Sequence, residues 1–449
     1  MLFVAHIQWE PVMLNHITQP LSRLVERYLP DPYIFVCLLT LLVLTLASMF
    51  TPTTPLEAIT IWGQGFWNLL QFAMQMLLIL VCGYMLASTR PCIIALNKLA
   101  TFARTPAQAI MLVTLVAMLA SWLNWGFGLV VGALFAKALA RQIAVDYRLL
   151  VASAYSGFIV WHGGLAGSVP LTIATPGHFA EAQIGVLGTS QTLFAPFNLL
   201  ILGVLLVIMP LLNRFMLPPA QSQVVVEPSK LTQPEPPSPP ASMTPAERLE
   251  HSAVIGTTIG LLGCGYLFYY FLAADGTLNL NSVIALFLFL AILLHRTPAN
   301  LLNSLQEAIR GGAGIVIQFP FYAGIMAVMV KTGLAQQISG GFVEISTSTT
   351  LPLWSFLSAG LVNIFVPSGG GQWAVQAPIV IPAAQALGTD IARVAMAVAW
   401  GDAWTNLIQP FWALPVLAIA GLKAKDIMGF CLIQLLVSGV VIALLLTLA

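Results

Sequence analysis

LVNIFVPSGGGQWAVQAP, Leu361 to Pro378, is the stretch that decides the fold. It sits in an apolar run from 351 to 386, too long for one membrane crossing, and interrupts it with Asn363, Pro367, Ser368, Gly369, Gly370 and Gly371. Proline removes a helix donor and glycine is the next-poorest helix former, which argues against one continuous helix. Each arm has about 15 residues, roughly 22 Å at 1.5 Å per residue, short of a hydrocarbon core about 30 Å thick. The reading is a re-entrant hairpin over 351–386 whose three glycines form a substrate-facing loop. A close helix-packing surface is the other use of such small residues. The run 108–141, with SWLNWGFGLVVG from Ser121 to Gly132 at its middle, reads as a hairpin of the same kind.

The rest of the chain supports an all-α polytopic membrane protein. Of 449 residues 59% are hydrophobic and 7% charged, against about a quarter charged in a soluble domain. A net charge of +1 gives no basic field for nucleic acid. Nine full spans are expected near 33–50, 66–88, 149–174, 194–213, 253–273, 281–295, 312–330, 392–417 and 428–448. With the N-terminus cytoplasmic, only Lys331 and Arg393 of the 17 Lys and Arg residues fall outside, a positive-inside pattern for a bacterial inner membrane. The same charges help to place the hairpins. No signal peptide is visible, and Met13 is an alternative start. Five cysteines without metal spacing read as core residues.

Four segments follow: an N-terminal interfacial segment 1–30 with an amphipathic helix at 14–28, a first repeat 31–216, a Pro-rich cytoplasmic linker 217–250, and a connector helix with the second repeat, 251–449. Between 217 and 247 the composition predicts an extended or disordered chain. The halves share a pattern. LLQFAMQML around Gln71 pairs with IVIQFPFYA around Gln318, ASWLN with AGLVN, and SVPLTIATPG with ALPVLAIAGL. By loop charge the hairpins enter from opposite sides, so the repeats are inverted. That architecture belongs to secondary transporters, with a site near the midplane where broken helices meet. Irregular backbone is tolerated at membrane depth only where protein or a polar cavity satisfies it.

The candidate residues lie at those breaks. VWHGGLAGSVPLTIATPG from Val160 to Gly177 and AWGDAWTNLIQPFWALP from Ala399 to Pro415 interrupt two spans. Apart from Arg393 at the very start of the 392–417 span, no Lys or Arg lies within a predicted span or hairpin tip. A bound anion must therefore be held by helix N-termini and polar side chains, which favours a monovalent one. Substrate contacts are assigned to Asn124, Gly126, Gly128, Trp161, His162, Ser168, Asn363, Ser368, Gly369, Gly370, Gly371, Gln372, Trp404, Thr405 and Asn406. Asn124, Asn363, Asp402 and His162 are the coupling-ion candidates, for H⁺ or Na⁺. Helix capping by the asparagines, a structural hydrogen bond from Asp402 and a neutral packing role for His162 are the bland alternatives. Trp125, Trp161, Trp373, Trp404 and Phe411 could line an acyl pocket or simply pack. Gln71 and Gln318 read as polar glue between helices.

LPDP at Leu29 to Pro32, FWNLLQFAMQM, NWGFGLVVGA, NIFVPSGGGQW, QPFWALPVLAIAGL and DIMG closely resemble the bacterial short-chain fatty acid transporter family linked to acetoacetate and butyrate use. The resemblance runs from about residue 20 to the C-terminus, with the linker divergent. It implies an ion-coupled carrier with two re-entrant hairpins, elevator-type movement and a monocarboxylate substrate. A homodimer is expected by analogy, and no cofactor beyond Na⁺ as a coupling ion. The alternative reading is a carrier of another organic anion, such as a dicarboxylate or amino acid derivative. An enzyme is disfavoured, because His162 and Asp402 alone make no nucleophile constellation. The absence of a P-loop argues against ATP-driven pumping.

Overall fold

Helices in this chain stop at Asn, Gly and Pro in the middle of apolar sequence, and those stops build its centre. The computed structural model describes residues 32–231, 243–364, 366 and 368–448, where every regular element is helical. The expected interfacial helix at 14–28, residues 232–242 of the linker, and Phe365 and Pro367 lie outside the described residues.

Nine helical stretches among the described residues are long and apolar enough to cross a membrane. Eight coincide with expected spans. The ninth is Pro106–Leu123, the first arm of the first hairpin, whereas Leu280–His295 has 16 residues and is shorter than that class. The arm was expected to be about 22 Å long. With 18 residues it reaches about 27 Å.

The order of elements recurs. Leu70–Ala87 leads to the hairpin Pro106–Leu123 and Trp125–Ala140, then to a broken span of Tyr147–Ser156, the tighter 3₁₀ turns Gly157–Gly163, and Ser168–Ile173, and closes with Pro196–Phe215. In the second half Pro298–Lys331 leads to Leu351–Asn363 and Gly369–Leu387, then to Ile391–Thr405, Asn406–Ile408 and Pro410–Ala420, and closes with Ala424–Leu448. Local chemistry places the breaks. Gln409 precedes Pro410 and takes an extended conformation (φ −86°, ψ 117°), as the ring of a following proline demands. Asn124 is extended (φ −160°, ψ 129°), and its side chain caps the next helix.

Each hairpin's first arm lies flush against the broken span of its own half. A Cβ on Gly157 would come within 2.6 Å of the Ala117 backbone, and one on Gly401 within 2.3 Å of the Phe356 carbonyl. The first broken span forms the interior: 94% of its most apolar stretch is buried, against 22% for Tyr33–Phe50. Ala253–Ala273 packs on Leu280–His295 through Gly256, Gly260 and Gly263, the small-residue approach used between membrane helices.

One expectation needs correction, and another gains detail. The three glycines do not form a loop: Gly369 to Gly371 are the opening turn of Gly369–Leu387. The Ser368 hydroxyl accepts the Gly371 N–H at 3.3 Å, and the poor helix propensity of glycine is offset where large rings crowd the backbone. The linker, in turn, is not featureless over 217–231. It is extended but pinned, because Asp146 accepts the Val224 N–H at 2.9 Å and the Val224 carbonyl accepts the Tyr147 N–H at 2.9 Å. The carboxylate of Asp146 is fully buried and also caps Tyr147–Ser156 through the Leu149 N–H.

Candidate functional site at the crossing of the two broken spans

His162 ends the first broken span's 3₁₀ turns and Asp402 stands one turn before the second break. Their side chains meet: Nε2 of His162 lies 3.2 Å from Oδ1 of Asp402, with 0% and 1% of each side chain exposed. The contact is close but not aligned as a hydrogen bond, and both His162 ring nitrogens and Oδ2 of Asp402 are buried without a hydrogen-bond partner. Such atoms are rare in native interiors and call for an explanation. The other carboxylate oxygen accepts the Asn406 amide at 3.0 Å.

The second hairpin's tip rests on this pair. A Cβ on Gly369 would stand 2.2 Å from Nε2 of His162 and 2.8 Å from the Trp161 ring, and those on Gly370 and Gly371 would meet Phe72 and Tyr322 at 2.7 and 2.6 Å. Only a residue without Cβ lets a helix start so near an imidazole. Asn363, from the first arm, donates its amide N–H groups towards the Asp402 carbonyl, Oγ1 of Thr405 and Oδ1 of Asn406 at 2.8 to 2.9 Å. The main-chain carbonyl of Asn363 accepts from the Gln409 side-chain amide. Tyr155 donates its hydroxyl to the Asn406 carbonyl at 2.5 Å. Asn198 ties the two breaks together, donating to the Gly163 carbonyl at 3.2 Å and accepting the Trp400 indole N–H at 3.0 Å.

His162, Asp402, Asn363, Thr405, Asn406, Ser368, Gly369 and Trp161 thus gather at one place, with Gly370 and Gly371 on the same turn. The remaining candidates are engaged elsewhere. The side chain of Asn124 accepts from the Phe127 N–H at 2.9 Å and donates to the Ile79 carbonyl at 3.3 Å. Gly126 abuts Leu80 and Gly128 abuts Ser121. Gln372 joins the hairpin's arms by donating to the Ala359 carbonyl at 2.9 Å. Trp404 turns towards the closing helix, donating to the Leu435 carbonyl at 2.7 Å while stacking on Phe356. Ser168 opens the short helix Ser168–Ile173 and is buried. The side chain of Phe411 lies outside those described.

Beside His162, Trp161 stacks on Phe158 at 5.4 Å and meets Trp125 at 5.8 Å between ring centroids, giving the centre an aromatic wall. The indole N–H groups of Trp125 and Trp161 are buried without a hydrogen-bond partner. A cavity of about 200 Å³ opens at one end of the seam between Pro298–Lys331 and Gly369–Leu387, lined by Phe179, Lys331, Ala377 and Pro378 among others. Phe72, packed against Phe179 at 5.9 Å, stands between that cavity and Gly370.

Asn198, Trp400, Tyr155 and Gln409 did not emerge from the sequence as site residues. Neither did a second buried cluster, in which Asn213 donates to Thr114 and Ser156 and accepts from Gln434. A signal existed for Asn198, Asn213 and Gln434, each a polar amide inside an apolar span.

A family model for the short chain fatty acid transporter matches residues 13–449. A protein of Escherichia coli K12 that carries the provisional name short-chain fatty acid transporter is 46% identical over 439 residues, covering 97% of this chain and 100% of its own. A relative from Haemophilus influenzae with the same provisional name is 42% identical over 435 residues, covering 94% and 97%. Among solved structures, the YdaH transporter of Alcanivorax borkumensis, described as having an unusual topology, shares the fold with a TM-score of 0.62 at 17% identity, covering 93% of this chain and 98% of its own. With nearly the whole chain matched, and nine membrane-length helices among the described residues around a buried polar centre, this protein is a multi-pass transporter and not an enzyme: it belongs to the short-chain fatty acid transporter family.

Proposed function

We propose that this protein is a secondary carrier of short-chain fatty acids such as butyrate or acetoacetate across the bacterial inner membrane, driven by H⁺ or Na⁺. The observation that carries the reading is the start of Gly369–Leu387 on the buried His162–Asp402 pair, within a chain that matches its family throughout. A helix N-terminus favours a carboxylate, and the aromatic wall of Trp161, Phe158 and Trp125 suits a short acyl tail. The cytoplasmic N-terminus, the opposed re-entrant hairpins and an elevator movement of hairpins with broken spans against the flanking helices belong to the same reading. So does Na⁺ as one candidate for the driving ion.

Uptake of labelled butyrate into proteoliposomes tests it, with pH and Na⁺ gradients imposed separately and protein-free vesicles correcting for passive entry of the acid. Accumulation above equilibrium under either gradient is the expected result; no protein-dependent flux in folded protein would remove the reading. Ser368→Ala should lower uptake at least tenfold and, by removing the cap of Gly369–Leu387, cost about 0.5–2 kcal/mol of stability. Asn363→Ala should abolish uptake and also cost about 1–3 kcal/mol, because it strips partners from buried acceptors.

A further inference from the structure

The His162–Asp402 pair has a property that a structural hydrogen bond does not explain. Both side chains are withdrawn from water, yet three of their four polar side-chain atoms lack a hydrogen bond. Few charged groups face them. The elements Pro106–Leu123, Ser168–Ile173, Leu351–Asn363 and Gly369–Leu387 carry no titratable side chain. Lys137, Arg148, Arg214, Arg393, Lys425 and Asp426 stand in the first or last turns of the other surrounding helices. Tyr322 is within electrostatic reach of Asp402, with its hydroxyl given to Gln318 at 3.3 Å. Tyr155 gives its own to the Asn406 carbonyl, and Cys431 is buried in the closing helix. The pair is therefore the one acid–base couple at the centre among the described residues. Beside it begins a 19-residue helix, whose leading N–H groups have no intrahelical acceptors.

We propose that His162 and Asp402 carry the coupling proton, and that His162 with the opening turn of Gly369–Leu387 receives the substrate carboxylate, so that one proton crosses with each monocarboxylate. The proposal rests on the fatty-acid reading above and deepens it. In the empty carrier the pair shares one proton and its net charge is zero, whether it is written as imidazolium with carboxylate or as two neutral groups. Loading adds a substrate carboxylate and one proton from the entry side. The pair then holds two protons, as imidazolium and carboxylic acid, with the imidazolium against the substrate, and the sum is again zero. On the far side the carboxylate and one proton leave together; no covalent bond of the substrate changes. Loading one without the other leaves a unit charge in a dry interior, which opposes movement, and this is what enforces coupling. A dicarboxylate would require a second extra proton, for which the centre has no basic group.

The amide of Asn363 favours a proton over Na⁺. Three oxygens that could surround a cation, the Asp402 carbonyl, Thr405 Oγ1 and Asn406 Oδ1, all converge on its nitrogen, so a donor already fills that point.

Calorimetric titration of the purified full-length protein with butyrate tests this, in Na⁺-free buffers of different ionisation enthalpy. The expected result is uptake of about one proton per butyrate bound, unchanged when NaCl replaces choline chloride. Binding without proton uptake, or binding that needs Na⁺, overturns the proton assignment and leaves the fatty-acid reading standing. No butyrate binding at any pH overturns that reading itself. Of the six histidines, the imidazole NMR signal missing from His162→Gln identifies His162. In the wild type this signal should stand at the imidazolium position once butyrate is bound, and a neutral-imidazole signal in the bound state overturns the role of His162 even if the variant binds nothing.

Discussion

A single backbone position, Gly369, decides whether two halves of this chain can meet. A methyl group there would sit 2.2 Å from His162 Nε2, closer than any real contact, so the helix would have to retreat from the imidazole. Gly369→Ala should lower butyrate uptake at least tenfold, read in vesicles against an unchanged yield of folded protein. The contrasting case is Gly203, inside Pro196–Phe215 with nothing within 4 Å of an added Cβ. Gly203→Ala should leave uptake intact and stabilise the protein by about 0.5–1 kcal/mol, seen as a small rise in melting temperature. At this scale the sequence shows types but not partners. His162 and Asp402 stand out because ionisable groups are rare in apolar spans. Asn198 is visible only as a polar amide in an apolar span, since what gives it meaning is Trp400, 202 residues away.

Elements carry the next level of information. The breaks at Asn124, at Gly163 and before Pro410 are legible because each rests on local chemistry that holds wherever the segment packs. The helical state of Gly369 to Gly371 is not legible, because propensity disfavours it and crowding by Phe72, Tyr322 and His162 overrides propensity. Arm length also escaped, since Pro106–Leu123 continues until Asn124 stops it. The flush contact between Ile391–Thr405 and Leu351–Asn363 depends on Gly401. Gly401→Ala should force the two helices apart at a cost of about 1–3 kcal/mol, lowering the melting temperature, with activity per folded molecule falling as the tip of the second hairpin shifts.

At the scale of the molecule, hydropathy alone locates eight of the nine membrane-length helices among the described residues, whereas which helices form the interior is visible only in three dimensions. Tyr33–Phe50 and Tyr147–Ile173 are both strongly apolar, yet one is mostly exposed at the periphery and the other almost wholly enclosed. The proposed cytoplasmic N-terminus gives a direct prediction for intact cells. A cysteine at Lys331 in an otherwise cysteine-free protein should react with a membrane-impermeant maleimide added outside, and one at Arg214 should not. Reversal of that pattern would invert the proposed orientation.

Asp146 holds residues 217–231 to the first half, and Ala253–Ala273 packs on Leu280–His295 in the second. Each of these contacts is made within one half. The polypeptide should tolerate being made as two pieces: fragments 1–236 and 237–449, translated from separate messages in one cell, are expected to find each other in the bilayer, co-purify through a tag on either, and recover much of the uptake of the unbroken chain.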